Sequence, residues 1–172
     1  VRLLGVAGNG TPRNATSHGM RALIENSDQF EALRADPSKE RMERAVEEVL
    51  RWASPVLYFR RTATTDFELN GTLIKGGDKV AMWYLSGNRD ETAIERPNEF
   101  IIDRARPRPH LSFGFGIHRC VGNRLAELQL KVLWQEILKR FPRIDVLGEP
   151  TRTKSNFVRG FTALQAVIPR RH

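Results

Sequence analysis

The sequence predicts a mainly α-helical fold with small β-sheets (α+β), built as a single domain over residues 1–172. Apolar residues recur at helical spacing through Met42, Ala45, Val46, Val49 and Leu50. A second helix-like run, Asn123-Arg124-Leu125-Ala126-Glu127-Leu128-Gln129-Leu130, follows much later. Between them, residues 56–83 change period to short β-like runs broken by turn dipeptides.

In chain order, Val1-Arg2-Leu3-Leu4-Gly5-Val6-Ala7 already reads as the interior of an apolar helix with no cap before it. Residues 1–26 are therefore the expected end of a long helix, and the chain the expected C-terminal part of a longer protein. Asp28 to Ala35 suggests a short helix closed by Pro37. Ser38 is a suitable N-cap for a helix from Glu40 to Trp52, which Pro55 stops. Leu57-Tyr58-Phe59, Phe67-Glu68-Leu69 and Thr72-Leu73-Ile74 are expected strands, with Asn70-Gly71 and Gly76-Gly77 as hairpin turns. Leu85 to Ser112 is irregular and rich in proline and arginine, and connections of that length are generally functional or disordered. The last helix is expected from Arg119 to Arg140, since Pro142 biases Phe141 away from helix. Weak strands are expected at Asn156-Phe157-Val158 and Leu164-Gln165-Ala166-Val167. There is no internal repeat and no domain linker.

The length suffices for one buried core. No apolar run approaches the ~20 residues needed to span a bilayer, and nothing resembles a signal peptide. One cysteine permits no internal disulfide, which fits a cytoplasmic location. The net charge is +8 and uneven: Arg104, Arg106, Arg108, Arg119 and Arg124 fall in a stretch without a carboxylate. Such a field could draw nucleic acid, an acidic lipid surface or an acidic protein. No nucleic-acid motif accompanies it and no aromatics are regularly interleaved, so an acidic electron carrier is the better match.

The lone thiol, Cys120, sits in Phe113-Gly114-Phe115-Gly116-Ile117-His118-Arg119-Cys120-Val121-Gly122. A single free cysteine is by default a small buried hydrophobe. Here the glycines let the backbone approach a flat ligand closely. A helix starting just after the sulfur, together with Arg119, would favour the thiolate. A thiolate so held is suited to be an axial ligand of haem iron, where it pushes electron density toward the metal.

The stretch resembles the haem-binding loop of the cytochrome P450 superfamily, Phe-x-x-Gly-x-x-x-Cys-x-Gly, with Phe113, Gly116, Cys120 and Gly122 at its fixed positions. The order helix, small sheets, long loop, helix is also similar to the C-terminal part of that fold. The resemblance implies a noncovalent haem (heme b, iron protoporphyrin IX) with Cys120 as the iron ligand and Phe113, Gly114, Gly116 and Gly122 shaping the loop. It implies that Glu48 and Arg51 form the family's Glu-x-x-Arg pair, joined by Arg104 in a buried structural triad. Arg61 and His118 match the haem propionate partners. By themselves Glu48 and Arg51 are an ordinary pair three residues apart, and Arg61 an ordinary strand arginine. His18 and His172 read as surface histidines.

Ala7-Gly8-Asn9-Gly10-Thr11 resembles the family's oxygen-binding helix segment, in which small residues such as Ala7 and Gly8 open a groove over the iron. Thr11 stands at the catalytic threonine. Gly10 stands where the family has an acid that works with it to relay protons. Pro12, lacking an N–H, should break the helical bond to Gly8 at about 3 kcal/mol. A weak relay, or a substitute route through Glu25 or water, are the consequences left open.

The resemblance implies a monooxygenase that inserts one atom of dioxygen into an unactivated C–H bond. Val56, Leu57 and Tyr58 would line the substrate side, with Phe161 in a second wall from Phe157 to Thr162. Arg51-Trp52-Ala53-Ser54-Pro55-Val56, Phe113 to Glu127 and Ser155 to Phe161 look like the bacterial alkane ω-hydroxylase subfamily. That likeness implies terminal hydroxylation of a medium-chain alkane or acyl chain, with electrons from a ferredoxin and its reductase. Two alternatives stand beside it: a peroxide-driven haem-thiolate enzyme, and a basic helical nucleic-acid-binding module with no cofactor.

Overall fold

The computed structural model describes residues 2–169, with side chains from residue 5 onward; Val1 and His172 lie outside the described residues. Five helices and four two-stranded antiparallel sheets are described. The frame is made by α1 (Arg2–Glu25), α3 (Lys39–Ala53) and α5 (Asn123–Arg140), with α2 (Ser27–Ala35) packed beside α1 and α3. Their shared core contains Ala15, Ala22 and Leu23 of α1, Met42, Val46, Val49 and Leu50 of α3, and Leu130 and Trp134 of α5.

Helix α3 forms where its periodicity predicts. The Ser38 hydroxyl accepts a hydrogen bond from the Arg41 amide, capping the first turn. At the other end Ser54 turns left-handed at φ 39°, its N–H returning to the Leu50 carbonyl, and Pro55 follows. Helix α1 runs unbroken through Pro12, against the expected break. The bond Pro12 cannot donate is forgone, and the packing of later turns against α3 and α5 outweighs that local loss.

His18 is the clearest departure from the sequence reading. It is buried at 4% exposure, not on the surface, with its ring 4.2 Å from that of Phe161. Helical position decided this: His18 shares a face with Ala15 and Ala22, both in the core.

The strand β1 (Tyr58–Thr62) pairs with β4 (Lys79–Trp83), and β2 (Phe67–Leu69) with β3 (Thr72–Ile74). Asn70 and Gly71, at φ 51° and 77°, make the β2–β3 hairpin turn. Gly76-Gly77 makes no hairpin turn. It bends the chain back so that β4 reaches β1, with the Gly77 N–H donating to the Ala63 carbonyl at 2.8 Å. The connection from Leu85 to Ser112 is not wholly structureless, since a short helix α4 (Tyr84–Gly87) opens it. Helix α5 begins at Asn123, so residues 119–122 belong to the loop. Near the end, β5 (Asp145–Val146) pairs with β8 (Ala166–Val167), and β6 (Thr151–Arg152) with β7 (Phe161–Ala163). Residues 156–158 form no strand; Val158 makes only an isolated bridge to Val56.

The turn before β7 lies directly on α1. A Cβ on Gly160 would stand 2.5 Å from the Asn14 side-chain oxygen, so only glycine permits this approach. Gly160→Ala should therefore destabilise the fold by about 1–3 kcal/mol. Asn14→Ala in the same chain should restore most of that loss, as read from urea midpoints at unchanged slope.

Burial, with Arg159, Arg152 and Arg21 adding to it, pushes the His18 imidazole from its ordinary 6.5 down to about 3. Between those values the unfolded chain binds the proton that the folded chain refuses. Stability should thus fall by about 1.4 kcal/mol for each pH unit below the ordinary value, levelling near the lower one. Unfolding titrations at several pH values check this, and His18→Gln should flatten that part of the slope.

Candidate functional site

The Cys120 loop is a tight backbone excursion between the core and α5. Phe113 is half-buried against the core, and the loop turns left-handed at Gly114 (φ 71°) and Gly116 (φ 77°). A side chain at Gly114 would be strained by that φ and would stand 3.0 Å from the Tyr84 hydroxyl. Residues 116–118 make one 3₁₀ turn. The Cys120 N–H then donates to the Phe113 carbonyl at 2.9 Å, closing the loop.

Cys120 is exposed, which removes the default reading of a buried hydrophobe. Around it in sequence, Phe115, Ile117 and Val121 are 76%, 96% and 92% exposed. On α5, Leu125, Leu128 and Val132 continue the exposed apolar surface at helical spacing. Single exposed apolar residues are ordinary, but a contiguous run beside a free thiol marks a binding surface.

Beneath the loop lies a buried charge cluster. The Glu48 carboxylate accepts from Arg51 Nε and Nη2, both at 2.8 Å, from Arg104 Nε at 2.9 Å and from the Ile101 amide at 2.8 Å. Arg51 also donates to the carbonyls of Asn88, Pro97 and Glu99, and Arg104 to those of Glu95, Arg96 and Glu99. Glu48 and Arg51 are each 1% exposed. The three residues singled out in the sequence are thus one hydrogen-bonded unit joining α3 to the irregular segment.

Two further buried groups, His110 and Asn88, tie the end of that segment to α3, and sequence reading left both inside a structureless connection. His110 Nε2 lies 2.8 Å from Glu47 Oε2, while its Nδ1 accepts from the Ser112 amide. Nδ1 is therefore the acceptor nitrogen and Nε2 carries the proton toward Glu47. The signals available were a second glutamate beside Glu48 on a core-facing helix and a histidine close to the cysteine loop.

The other predicted residues are distributed as follows. Ala7 and Gly8 are exposed on α1, and the Thr11 hydroxyl donates to the Ala7 carbonyl at 2.7 Å. Glu25 pairs with Arg21 at the far end of α1, fourteen residues from Thr11 and so about 21 Å along the axis. It cannot serve as the substitute acid. Arg61 is half-buried on β1 and donates only to the Arg60 carbonyl, and His118 is exposed; neither has an ion-pair partner among the described residues. Leu57 exchanges backbone bonds with Phe157 and Tyr84, and Tyr58 packs 4.5 Å from Trp83 and edge-on to Phe157 at 5.9 Å. Phe161 instead stacks on His18 beneath Arg152. Phe157, not Phe161, meets the Val56–Tyr58 segment, while Phe161, at the start of β7, faces His18 of α1.

The arginine-rich stretch is less of a positive field than its sequence suggests. Arg104 is consumed by Glu48, Arg108 pairs with Glu47 and Glu127, and Arg124 with Glu127. Arg106 and Arg119 are the exposed cations of the five without an ion pair among the described residues. Among the described residues no cluster of three or more His, Cys, Asp or Glu is arranged for a metal, and Cys120 is the soft donor of the loop. An exposed thiol rimmed by apolar side chains, with Arg61 and His118 free to meet carboxylates, fits a flat apolar group with a central soft-ligand metal and acidic substituents.

The cytochrome P450 family model matches residues 40–162. The chain is 42% identical over 163 residues to linalool 8-monooxygenase of Pseudomonas putida, covering 95% of itself and 39% of that protein. It is 44% identical over 168 residues to a methyl-branched lipid omega-hydroxylase of Mycobacterium tuberculosis, covering 94% of itself and 38% of that protein. The structure of CYP153D17 from Sphingomonas sp. PAMC 26605 superposes with a TM-score of 0.92 at 49% identity, over 98% of this chain and 42% of that one. The chain thus spans about two-fifths of the length of these relatives. With residues 40–162 matched and the Phe113–Gly122 loop closed on an exposed Cys120, this chain belongs to the cytochrome P450 family.

Proposed function

We propose that residues 1–172 are the C-terminal part of a single haem-thiolate monooxygenase domain that hydroxylates an unactivated C–H bond of an apolar substrate. The observation that carries this reading is the exposed Cys120 thiol in its glycine-turned loop, rimmed by Phe115, Ile117 and Val121. Haem b would be held by Cys120, with Arg61 and His118 toward its carboxylates, Phe113, Gly114, Gly116 and Gly122 shaping the loop, and Ala7 and Gly8 on the other side. When bound, that group supplies the redox centre at which dioxygen is split and one atom delivered to carbon.

The chain's own residues would divide the remaining work. Thr11 would hold a hydroxyl proton beside the exposed Ala7 and Gly8, and in this structure donates it to the Ala7 carbonyl. Val56, Leu57 and Tyr58, with Phe157 against them, offer an apolar wall that excludes water. The relatives named for linalool 8-oxidation and for methyl-branched lipid ω-hydroxylation support an extended apolar substrate attacked near its end. A medium-chain alkane or acyl chain fits that description. Electrons would come from a ferredoxin and its reductase in the cytoplasm, with Arg106 and Arg119 as the cations open to an acidic carrier. No helix among the described residues is long and apolar enough to cross a membrane.

Cys120→Ser in the complete, haem-loaded domain should abolish the thiolate-type carbon monoxide band and all hydroxylation, because serine offers no thiolate at that place in the loop. Persistence of that band in the variant would remove the ligand assignment.

One observation favours a second reading, in which hydrogen peroxide drives the reaction. Gly10 offers no acid beside Thr11, Glu25 is out of reach, and space around Gly10 is open. Among the described residues nothing opposes a side chain at position 10, and Gly10→Asp should raise the alcohol formed per NADH while lowering peroxide release. If the unaltered enzyme turns over faster with peroxide than with ferredoxin and NADH, and Gly10→Asp changes neither yield, the peroxide-driven reading replaces the first.

A further inference from the structure

The side-chain amide of Asn88 is 0% exposed and has no role in the proposed chemistry. We propose that Asn88 is a positioning residue for the Cys120 loop, carrying the geometry of the Glu48–Arg51–Arg104 cluster into the backbone that ends at the thiol. The inference rests on the reading of Cys120 as an iron ligand.

Asn88 follows α4, and its backbone N–H donates to the Tyr84 carbonyl at 2.9 Å. Its own carbonyl accepts from Arg51 Nη1 at 2.8 Å, so its place is set by the charge cluster. The side chain then turns toward residues 111 and 112. Oδ1 accepts from the Leu111 amide at 2.6 Å, which fixes the orientation of the amide. Nδ2 donates to Ser112 Oγ at 2.9 Å and to Ser54 Oγ at 2.8 Å.

Both serine hydroxyls have already committed their single protons. Ser112 Oγ donates to the Leu50 carbonyl at 2.7 Å, and Ser54 Oγ to the Arg51 carbonyl at 2.8 Å. Each can therefore only accept from position 88, and only an amide supplies two donors and one acceptor in that arrangement. The consequence reaches the thiol in few steps. Ser112 is followed by Phe113, whose carbonyl accepts the Cys120 N–H at 2.9 Å. Arg51, Asn88, Ser112, Phe113 and Cys120 thus form one uninterrupted series of hydrogen bonds and peptide links.

An amide that merely filled space would leave the thiol's ligation untouched when altered, and this separates the two roles. Asn88→Asp keeps the shape but sets an acceptor against two hydroxyls that have no proton to give. Ser112→Ala cuts the branch toward the loop, and Ser54→Ala cuts the branch toward α3 alone. The complete haem-loaded domain is compared with these three variants at equal haem content. The readouts are the ratio of thiolate-type to non-thiolate carbon monoxide bands across pH and the melting temperature. Asn88→Asp and Ser112→Ala should lower that ratio about tenfold, the effect of leaving a buried polar group unpaired. Ser54→Ala should lose comparable melting temperature yet hold the ratio within about twofold.

The proposal is overturned if Asn88→Asp and Ser112→Ala keep the unaltered ratio, or if Ser54→Ala lowers it as far as they do. Should Asn88→Asp not accumulate as folded protein, Ser112→Ala against Ser54→Ala decides by the same criteria. An unaltered domain with no thiolate-type band overturns the ligand reading, and the proposal with it. An unaltered domain with the band and variants indistinguishable from it overturns the proposal alone.

Discussion

The structure depends on a buried carboxylate that two guanidinium groups share. Glu48 receives four hydrogen bonds, three from Arg51 and Arg104 and one from the Ile101 amide. Arg51 in turn uses all five of its N–H donors: three meet backbone carbonyls and two meet Glu48. Taking these charges out of water costs several kcal/mol per ion, and such a cluster holds only because nearly every donor and acceptor is satisfied. The surplus positive charge is met by carbonyl dipoles from residues 88, 95, 96, 97 and 99. Those carbonyls belong to a segment with almost no regular structure of its own. Convergence on the arginines replaces the ladder bonds that a helix or sheet would have provided.

That accounting explains why a long connection need not be a mobile one. Loops usually run over surfaces because their backbone groups need water. Here residues 95–104 find their partners in Glu48 and Arg51 of α3, Gln29 of α2 and their own Arg104, and Phe100 and Ile102 enter the core at 4% and 1% exposure. The cysteine loop inherits this support through His110 and Ser112 rather than through any helix or strand adjoining it.

Much of this was legible in the residues. The helical spacing from Met42 to Leu50, the Ser38 cap and the Asn70-Gly71 turn each carry their own physical signal, and the structure follows them. Local chemistry decided those elements. The discrepancies arise where distant contacts decide instead. Strands of two or three residues, such as Asp145–Val146 and Thr151–Arg152, are too short to leave a periodic trace and exist through their partners. Pro12 reads as a helix breaker, yet tertiary packing carries α1 past it. His18 reads as a polar surface residue until its helix is placed against β7. In the site, the glycine and phenylalanine spacing singled out Cys120, while Glu48, Arg51 and Arg104 came from the family resemblance, and the structure joins these three in one cluster. Phe157 and Phe161 read as parts of one wall, yet Phe157 packs on Tyr58 and Phe161 on His18, a division made by contacts distant in sequence.

On the proposed function, the Cys120 loop and the exposed end of α1 serve one site, and they are built on opposite principles. The Cys120 side is over-determined, with buried ions, a buried amide and a closed backbone loop all fixing one arrangement. On α1, among the described residues, Gly5, Gly8 and Gly10 have open space where a Cβ would be, and Thr11 satisfies itself on its own helix. A metal ligand must be held at one distance, because small displacements change the metal's electronics. A surface that admits dioxygen and an extended apolar chain must instead leave room and accept local rearrangement. The expensive buried polar groups lie where rigidity is required, and small residues lie where access is. On this division, substitutions along α1 would alter what the site accepts, while substitutions around Glu48, Asn88 and His110 would alter whether the ligand is in place at all.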